Sequence, residues 1–121
     1  MTVPNRYRVI NVRSASLGET YVYVGRMMPG RFAGHELANP FRLPRRATEQ
    51  QRRECLERYV AWLSGLPDLR ERLRRLQAAT VYGTYPLGCW CCEWDGEEGE
   101  PMCHAVVLAW MLSGLGGYHG T

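Results

Sequence analysis

Four of the chain's five cysteines lie between Leu87 and Leu108, in the stretch LGCWCCEWDGEEGEPMCHAVVL, and His104 directly follows the last of them. Soft thiolates and an imidazole gathered within the sixteen residues from Cys89 to His104 are the donor inventory of a zinc site. A closed structural site takes four N or S ligands in a tetrahedron. Cys89, Cys91, Cys103 and His104 supply that set, with Cys92 as a spare. The Cys-x-Cys and Cys-His spacings are tighter than those of ordinary zinc knuckles. Neighbouring ligands such as Cys103 and His104 must splay apart, which the first turn of a helix permits.

The segments on either side of the cluster place it. Residues 80–85 (TVYGTY) are β-branched and aromatic up to Pro86, and Leu87 to Trp90 extend the same pattern, so a strand leads into the cysteines. Residues 95–101 (DGEEGEP) form an acidic loop, and residues 103–112 (CHAVVLAWML) read as an almost wholly apolar helix, buried on most sides. The tail from 113 to 121 is glycine-rich and expected to fray.

Earlier in the chain, residues 7–12 (YRVINV) and 20–24 (TYVYV) read as strands. The link between them is too short for a crossover helix, which predicts an antiparallel hairpin and puts Arg13 at the edge away from the cysteines. Residues 25–43 (GRMMPGRFAGHELANPFRL) carry too many glycines and prolines for regular structure and form a long loop. Phe32, Leu37 and Phe41 give that loop apolar anchors, so it should be ordered and packed. Pro40 pushes Asn39 into an extended conformation and leaves its amide well defined. Thr48 and Gln51 make a capping box for a helix whose apolar face is Cys55, Leu56, Tyr59, Val60 and Leu63. Gly65 and Pro67 end it. Asp68 caps a second helix to about Ala79, with Leu69, Leu73 and Leu76 inward and a solvated face of Arg70, Arg72, Arg74 and Arg75.

The expectation is a small single-domain α/β fold of order β-β-α-α-β-α, spanning 1–121 with its core at about 7–112. Its mixed sheet combines an antiparallel hairpin with a parallel crossover. A strand–helix–helix–strand passage makes the second and third strands parallel. Their carboxyl ends then share one edge, where open α/β sheets bind ligands. The 25–43 loop and the cysteine cluster should meet there.

All fifteen basic residues are arginine, and the net charge is +3. Codon usage in a GC-rich genome accounts for such a bias, and so does selection for bidentate recognition of phosphate or carboxylate. No apolar run approaches the roughly 20 residues that span a bilayer. With no signal-peptide pattern at the start, the expected location is the cytoplasm, and clustered thiols there point to metal or catalysis rather than disulfides.

A rival to zinc is a thiolate site. Cys103 stands where the last helix begins, so unpaired N–H groups and the helix dipole would lower its pKa for nucleophilic or persulfide chemistry. His104 would act as base, and Arg26 would hold an anionic substrate. Cys55, mid-helix on the apolar face, reads as core packing. Trp90 and Trp94 shield the thiols, and His35 and His119 read as surface residues.

Taken together, YVYVGR, ANPFRL, the Tyr59, Trp62, Leu63 helix end, LGCWC, and CH before an apolar helix resemble a small bacterial and phage family, domain of unknown function 4326. The resemblance covers about residues 7–112. It implies importance for Gly25, Arg26, Asn39, Pro40, Phe41, Cys89, Trp90, Cys91, Cys103 and His104. Ala38 stands where that family has glycine, and Ala105 and Val106 stand where it often has Gly-Asp.

The reading that follows is a zinc-binding α/β domain in which Cys89, Cys91, Cys103 and His104 hold the metal. Arg26 and Asn39 then shape a pocket for an anionic ligand, a nucleotide or a nucleic-acid end. An open metal position would make the site hydrolytic. The alternatives are the cysteine-nucleophile enzyme and a non-enzymatic module with structural zinc, whose arginines contact nucleic acid or protein.

Overall fold

The computed structural model describes residues 7–13, 18–44, 46–89 and 103–115. The elements among them follow the expected order: β1 (Val9–Asn11), β2 (Val22–Tyr23), α1 (Glu49–Ser64), α2 (Leu69–Ala79), β3 (Leu87–Cys89) and α3 (His104–Gly114).

The sheet differs from the expectation. β3 lies between β1 and β2 and runs parallel to both. On one side Leu87 N–H donates to the Arg8 carbonyl at 2.8 Å, and Val12 N–H donates to the Cys89 carbonyl at 2.8 Å. On the other, Val22 N–H donates to the Pro86 carbonyl at 2.9 Å and Val24 N–H to the Gly88 carbonyl at 3.0 Å. The antiparallel hairpin is overturned: β1 and β2 are not neighbours, and the sheet is parallel throughout rather than mixed. The reason is strand length. Strands of three and two residues need only about 10 Å of return path, a distance that a link of this length can span at about 3.3 Å per residue, so a parallel arrangement does not require a crossover helix. The parallel crossover through α1 and α2 is as expected.

Gly88, at the centre of the middle strand, is required by close approach. A Cβ there would sit 2.6 Å from Tyr21 Cδ1 and 2.9 Å from Val12 Cγ1. Side chains alternate along a strand, so Leu87 and Cys89 face the other way, into the core with Val9.

α1 opens with the expected capping box: Thr48 Oγ1 accepts from Gln51 N–H at 3.1 Å, and Gln51 Oε1 accepts from Thr48 N–H at 2.8 Å. Cys55, Tyr59 and Leu63 are buried, while Val60 turns out to be exposed. α2 buries Leu73 and Leu76. Asp68 precedes it but does not cap with its side chain, because its carboxylate accepts from Arg72 Nε at 2.9 Å instead.

Residues 80–85, expected as strand, form a turn. Val81 and Tyr82 have φ of 51° and 53°, in the left-handed region, and Gly83 follows at 92°. Thr80 holds the turn by donating Oγ1–H to the Gln77 carbonyl at 2.9 Å and accepting from Gly83 N–H at 3.2 Å. The same β-branched and aromatic residues that suit a strand are here locked by local hydrogen bonds.

α3 is the hub. It packs on β1, β3, α1 and α2, and Ala105 to Ala109 and Leu112 are all buried. An apolar residue on nearly every face is what a helix enclosed by neighbours requires. Among the described residues, no helix is long and apolar enough to cross a membrane. The acidic loop, Trp90, Trp94, Cys91, Cys92, His119 and the tail beyond residue 115 lie outside the described residues.

Candidate functional site

Because all three strands run the same way, their carboxyl ends share one edge. β3 ends there at Cys89, β2 hands over to the 25–43 loop, and β1 ends there too. Arg13 is therefore on this edge, not the opposite one; the reversal follows directly from the loss of the hairpin.

Cys103 is the N-cap residue of α3, with extended backbone (φ −143°, ψ 140°) and no side-chain capping bond. Its Sγ lies 3.2 Å from Cys89 Sγ, and both residues are buried. That separation exceeds the roughly 2.05 Å of a disulfide. Sulfurs at about 2.3 Å from a tetrahedral zinc stand about 3.7 Å apart, so a small opening of the pair suits a shared ion.

His104, the first residue of α3, turns its Nε2 to the Val24 carbonyl at 3.1 Å, and Tyr59 meets its ring edge-on with centroids 5.7 Å apart. If Nε2 donates to that carbonyl, Nδ1 is the nitrogen left for a metal, an orientation that backbone acceptors commonly impose on ligating histidines. Burial lowers the His104 pKa, partly opposed by the nearby Cys89 sulfur and the Val24 carbonyl, and the Arg26 charge adds to the lowering. Tyr59 donates its hydroxyl to the Leu37 carbonyl, and burial, then Cys103, hold that phenol protonated. Among the described residues, no three His, Cys, Asp or Glu side chains are gathered to hold a metal ion. Cys91, the fourth expected ligand, lies outside them.

The 25–43 loop is ordered by contacts the sequence only hinted at. Tyr23 folds back over Gly25 to donate its hydroxyl to the Arg26 carbonyl at 2.7 Å, and its ring stacks on Phe32 at 4.1 Å. A Cβ on Gly25 would overlap that hydroxyl. His35 N–H donates to the Gly25 carbonyl at 3.0 Å, and His35 Nδ1 accepts from Leu37 N–H at 3.0 Å. Glu36 reaches α2, pairing with Arg75 at 2.9 Å and Arg72 at 3.6 Å. The Arg75 bond, ahead of the surrounding charges, pulls the Glu36 carboxyl below its usual range.

His35, read from the sequence as a surface residue, is thus a loop-closing acceptor. Burial lowers its pKa below the ordinary histidine value. The unfolded chain then takes up this proton first. The stabilisation is complete above the unfolded value near 6.5 and is lost as pH falls below it toward the lowered folded value. Melting temperature should therefore hold steady above about pH 7 and decline through pH 6. The His35 share is on the order of 1 kcal/mol, one hydrogen bond. A His35→Asn chain, keeping an acceptor that does not titrate, should show a shallower decline; an unchanged slope would remove His35 from the account.

Asn39 spends its amide inside the protein. Its Oδ1 accepts from Phe41 N–H at 2.9 Å, and its Nδ2 lies 3.5 Å from Cys55 Sγ. Cys55 in turn approaches the Phe41 carbonyl at 3.6 Å. The Asn-Pro-Phe turn is thereby pinned on α1, and Cys55 is a docking point as well as core.

These elements enclose a cavity of about 310 Å³. Expected residues Arg26, Asn39, Cys103 and His104 all line it; Cys89 lies just behind, against Cys103. Arg42 and Arg52 also line it and were not singled out from the sequence. One signal was present: Arg52 stands three and four residues before Cys55 and Leu56, on the same helix stripe. Arg42 directly follows the Asn-Pro-Phe turn.

No curated protein and no solved structure matches the chain. One family model does, over residues 10–114. That match takes in the cysteine pair, the whole cavity lining and every described element apart from the first residue of β1. The chain belongs to the family Domain of unknown function (DUF4326).

Proposed function

We propose that the chain is a zinc-binding domain with an anion pocket beside the metal, the metal held by Cys89, Cys103, His104 and Cys91. The observation that carries this reading is that Cys103 and His104 belong to two things at once. Cys103 sits against the buried sulfur of Cys89, His104 is near enough to feel the charge of that sulfur, and both line a cavity bordered by Arg26, Arg42 and Arg52. Zinc there would join the end of β3 to the start of α3. Asn39 acts as a positioning residue for the turn that carries Phe41 and Arg42, rather than as a ligand contact.

The reading in which surface arginines of α2 bind nucleic acid has less support. Arg72 and Arg75 are paired with Glu36, and Arg74 donates to Gln77 Oε1 at 3.1 Å and approaches the Leu115 carbonyl at 3.5 Å. The nucleophile reading keeps one observation in its favour, the uncapped N-terminal position of Cys103. Its burial favours a ligand instead.

Elemental analysis of the purified chain should find about one zinc per molecule. Arg26→Ala should keep the fold and the zinc while weakening pyrophosphate binding at least fivefold. A metal-free chain with native stability would defeat the zinc half, and unaltered pyrophosphate binding in Arg26→Ala would defeat the pocket half.

A further inference from the structure

We infer that the cavity is a site for a single free 5′-mononucleotide, with its phosphate among Arg26, Arg42 and Arg52 and its base against Phe41, Met27 and Leu56. The inference rests on the anion-pocket reading above and narrows it to one ligand class.

The arginines come from three separate segments: the loop after β2, the residue after the Asn-Pro-Phe turn, and the first turn of α1. Among the described residues none of the three side chains has an ion pair or hydrogen bond, whereas Arg53, Arg72 and Arg75 each pair with a carboxylate. No carboxylate is among the described lining residues either. Three guanidinium groups around one cavity repel each other until an anion joins them. Their planar forks match the oxygens of phosphate, several at once. The N-terminus of α3, presented through Cys103 and His104, adds the positive end of a helix dipole on the same side.

A bare phosphate leaves the rest of the cavity unused. Phe41 offers a ring, and methionine is a polarisable, adaptable surface for a flat heterocycle. A sugar phosphate without a base would leave Phe41 and Met27 nothing flat to cover and would expose more hydroxyls than a nucleotide, while the amide of Asn39 is already committed. Size decides against a polymer. About 310 Å³ is at the small end of ligand pockets, and strand binding needs a groove that follows successive phosphates past several stacking rings.

The test is calorimetric titration of the full chain with AMP, GMP, CMP and UMP. The controls are the matching nucleosides, inorganic phosphate and an eight-nucleotide single-stranded DNA. At least one mononucleotide should bind 30-fold or more tighter than phosphate or its own nucleoside. Arg52→Gln, at an exposed position, should weaken both the nucleotide and phosphate tenfold or more. Phe41→Leu should weaken the nucleotide at least fivefold and leave phosphate unchanged. Phosphate binding as tightly as every nucleotide overturns the nucleotide assignment and leaves the anion pocket standing. Tighter binding of the oligonucleotide overturns it in favour of a strand end. Absence of binding by any probe overturns both.

Discussion

On the proposed zinc reading, treating the folded chain with a chelator is expected to lower its stability by about 4 kcal/mol, the linkage value when free metal stands a thousandfold above its dissociation constant. Cys103→Ser should reproduce the loss and bring the zinc content toward zero. The size follows from where the donors sit. Cys89 ends the central strand, Cys103 stands at the N-terminal boundary of the helix on which β1, β3, α1 and α2 pack, and both are buried. Metal binding at such a junction is folding free energy, because the unfolded chain has no formed site. Thermal melts with and without chelator, run beside metal analysis, check it. Identical melts and an undiminished zinc content in Cys103→Ser would sink the zinc reading whatever the pocket does.

Gly88→Val should prevent folding or cost about 3 kcal/mol or more, the upper range for overpacking. The first added carbon alone would lie 2.6 Å from Tyr21 Cδ1 and 2.9 Å from Val12 Cγ1. Valine adds two methyls beyond it. Neither neighbour can retreat cheaply, since Val12 is tied to Cys89 by its N–H and Tyr21 directly precedes β2. With total stability of roughly 5–15 kcal/mol, such a loss should show as low soluble yield or a urea midpoint far below that of the parent. A midpoint within experimental error of the parent would mean that the sheet's outer face is more open than these contacts indicate.

How far the sequence reached depended on how local the determining physics was. The Thr48 capping box, most of the apolar stripe of α1 and the start of α3 at Cys103 are set by neighbours a few positions away and were legible; the Asp68 cap was not, since Arg72 takes its carboxylate, and Val60 leaves the stripe for solvent. The meeting of the 25–43 loop with Cys103 was legible too, because crossover handedness and strand polarity are topological rules. The hairpin was not. Whether two short strands pair with each other or with a third depends on β3, more than sixty residues later, and a short link excludes a crossover only when strands are long. Residues 80–85 misled for a different reason: valine, threonine and tyrosine suit a strand, and only hydrogen bonds from Thr80 reveal the turn. Arg42 and Arg52 were not singled out as site residues because a chain with arginine as its sole basic residue type gives no contrast between a cation aimed into a cavity and one facing water. Ion pairs supply that contrast, and they exist only in three dimensions.

The burial of α3 on nearly all sides carries an implication for how the molecule is made. Synthesis delivers β1 first and α3 after every other described element, yet β1, β3 and both other helices turn their apolar surfaces toward that late arrival. Until residues 104–114 are available, a nascent chain holds three short strands and two helices whose apolar faces have nothing to close on. The protein therefore assembles in one late step rather than by accretion, and its exposure to aggregation is concentrated in the moments before that helix leaves the ribosome.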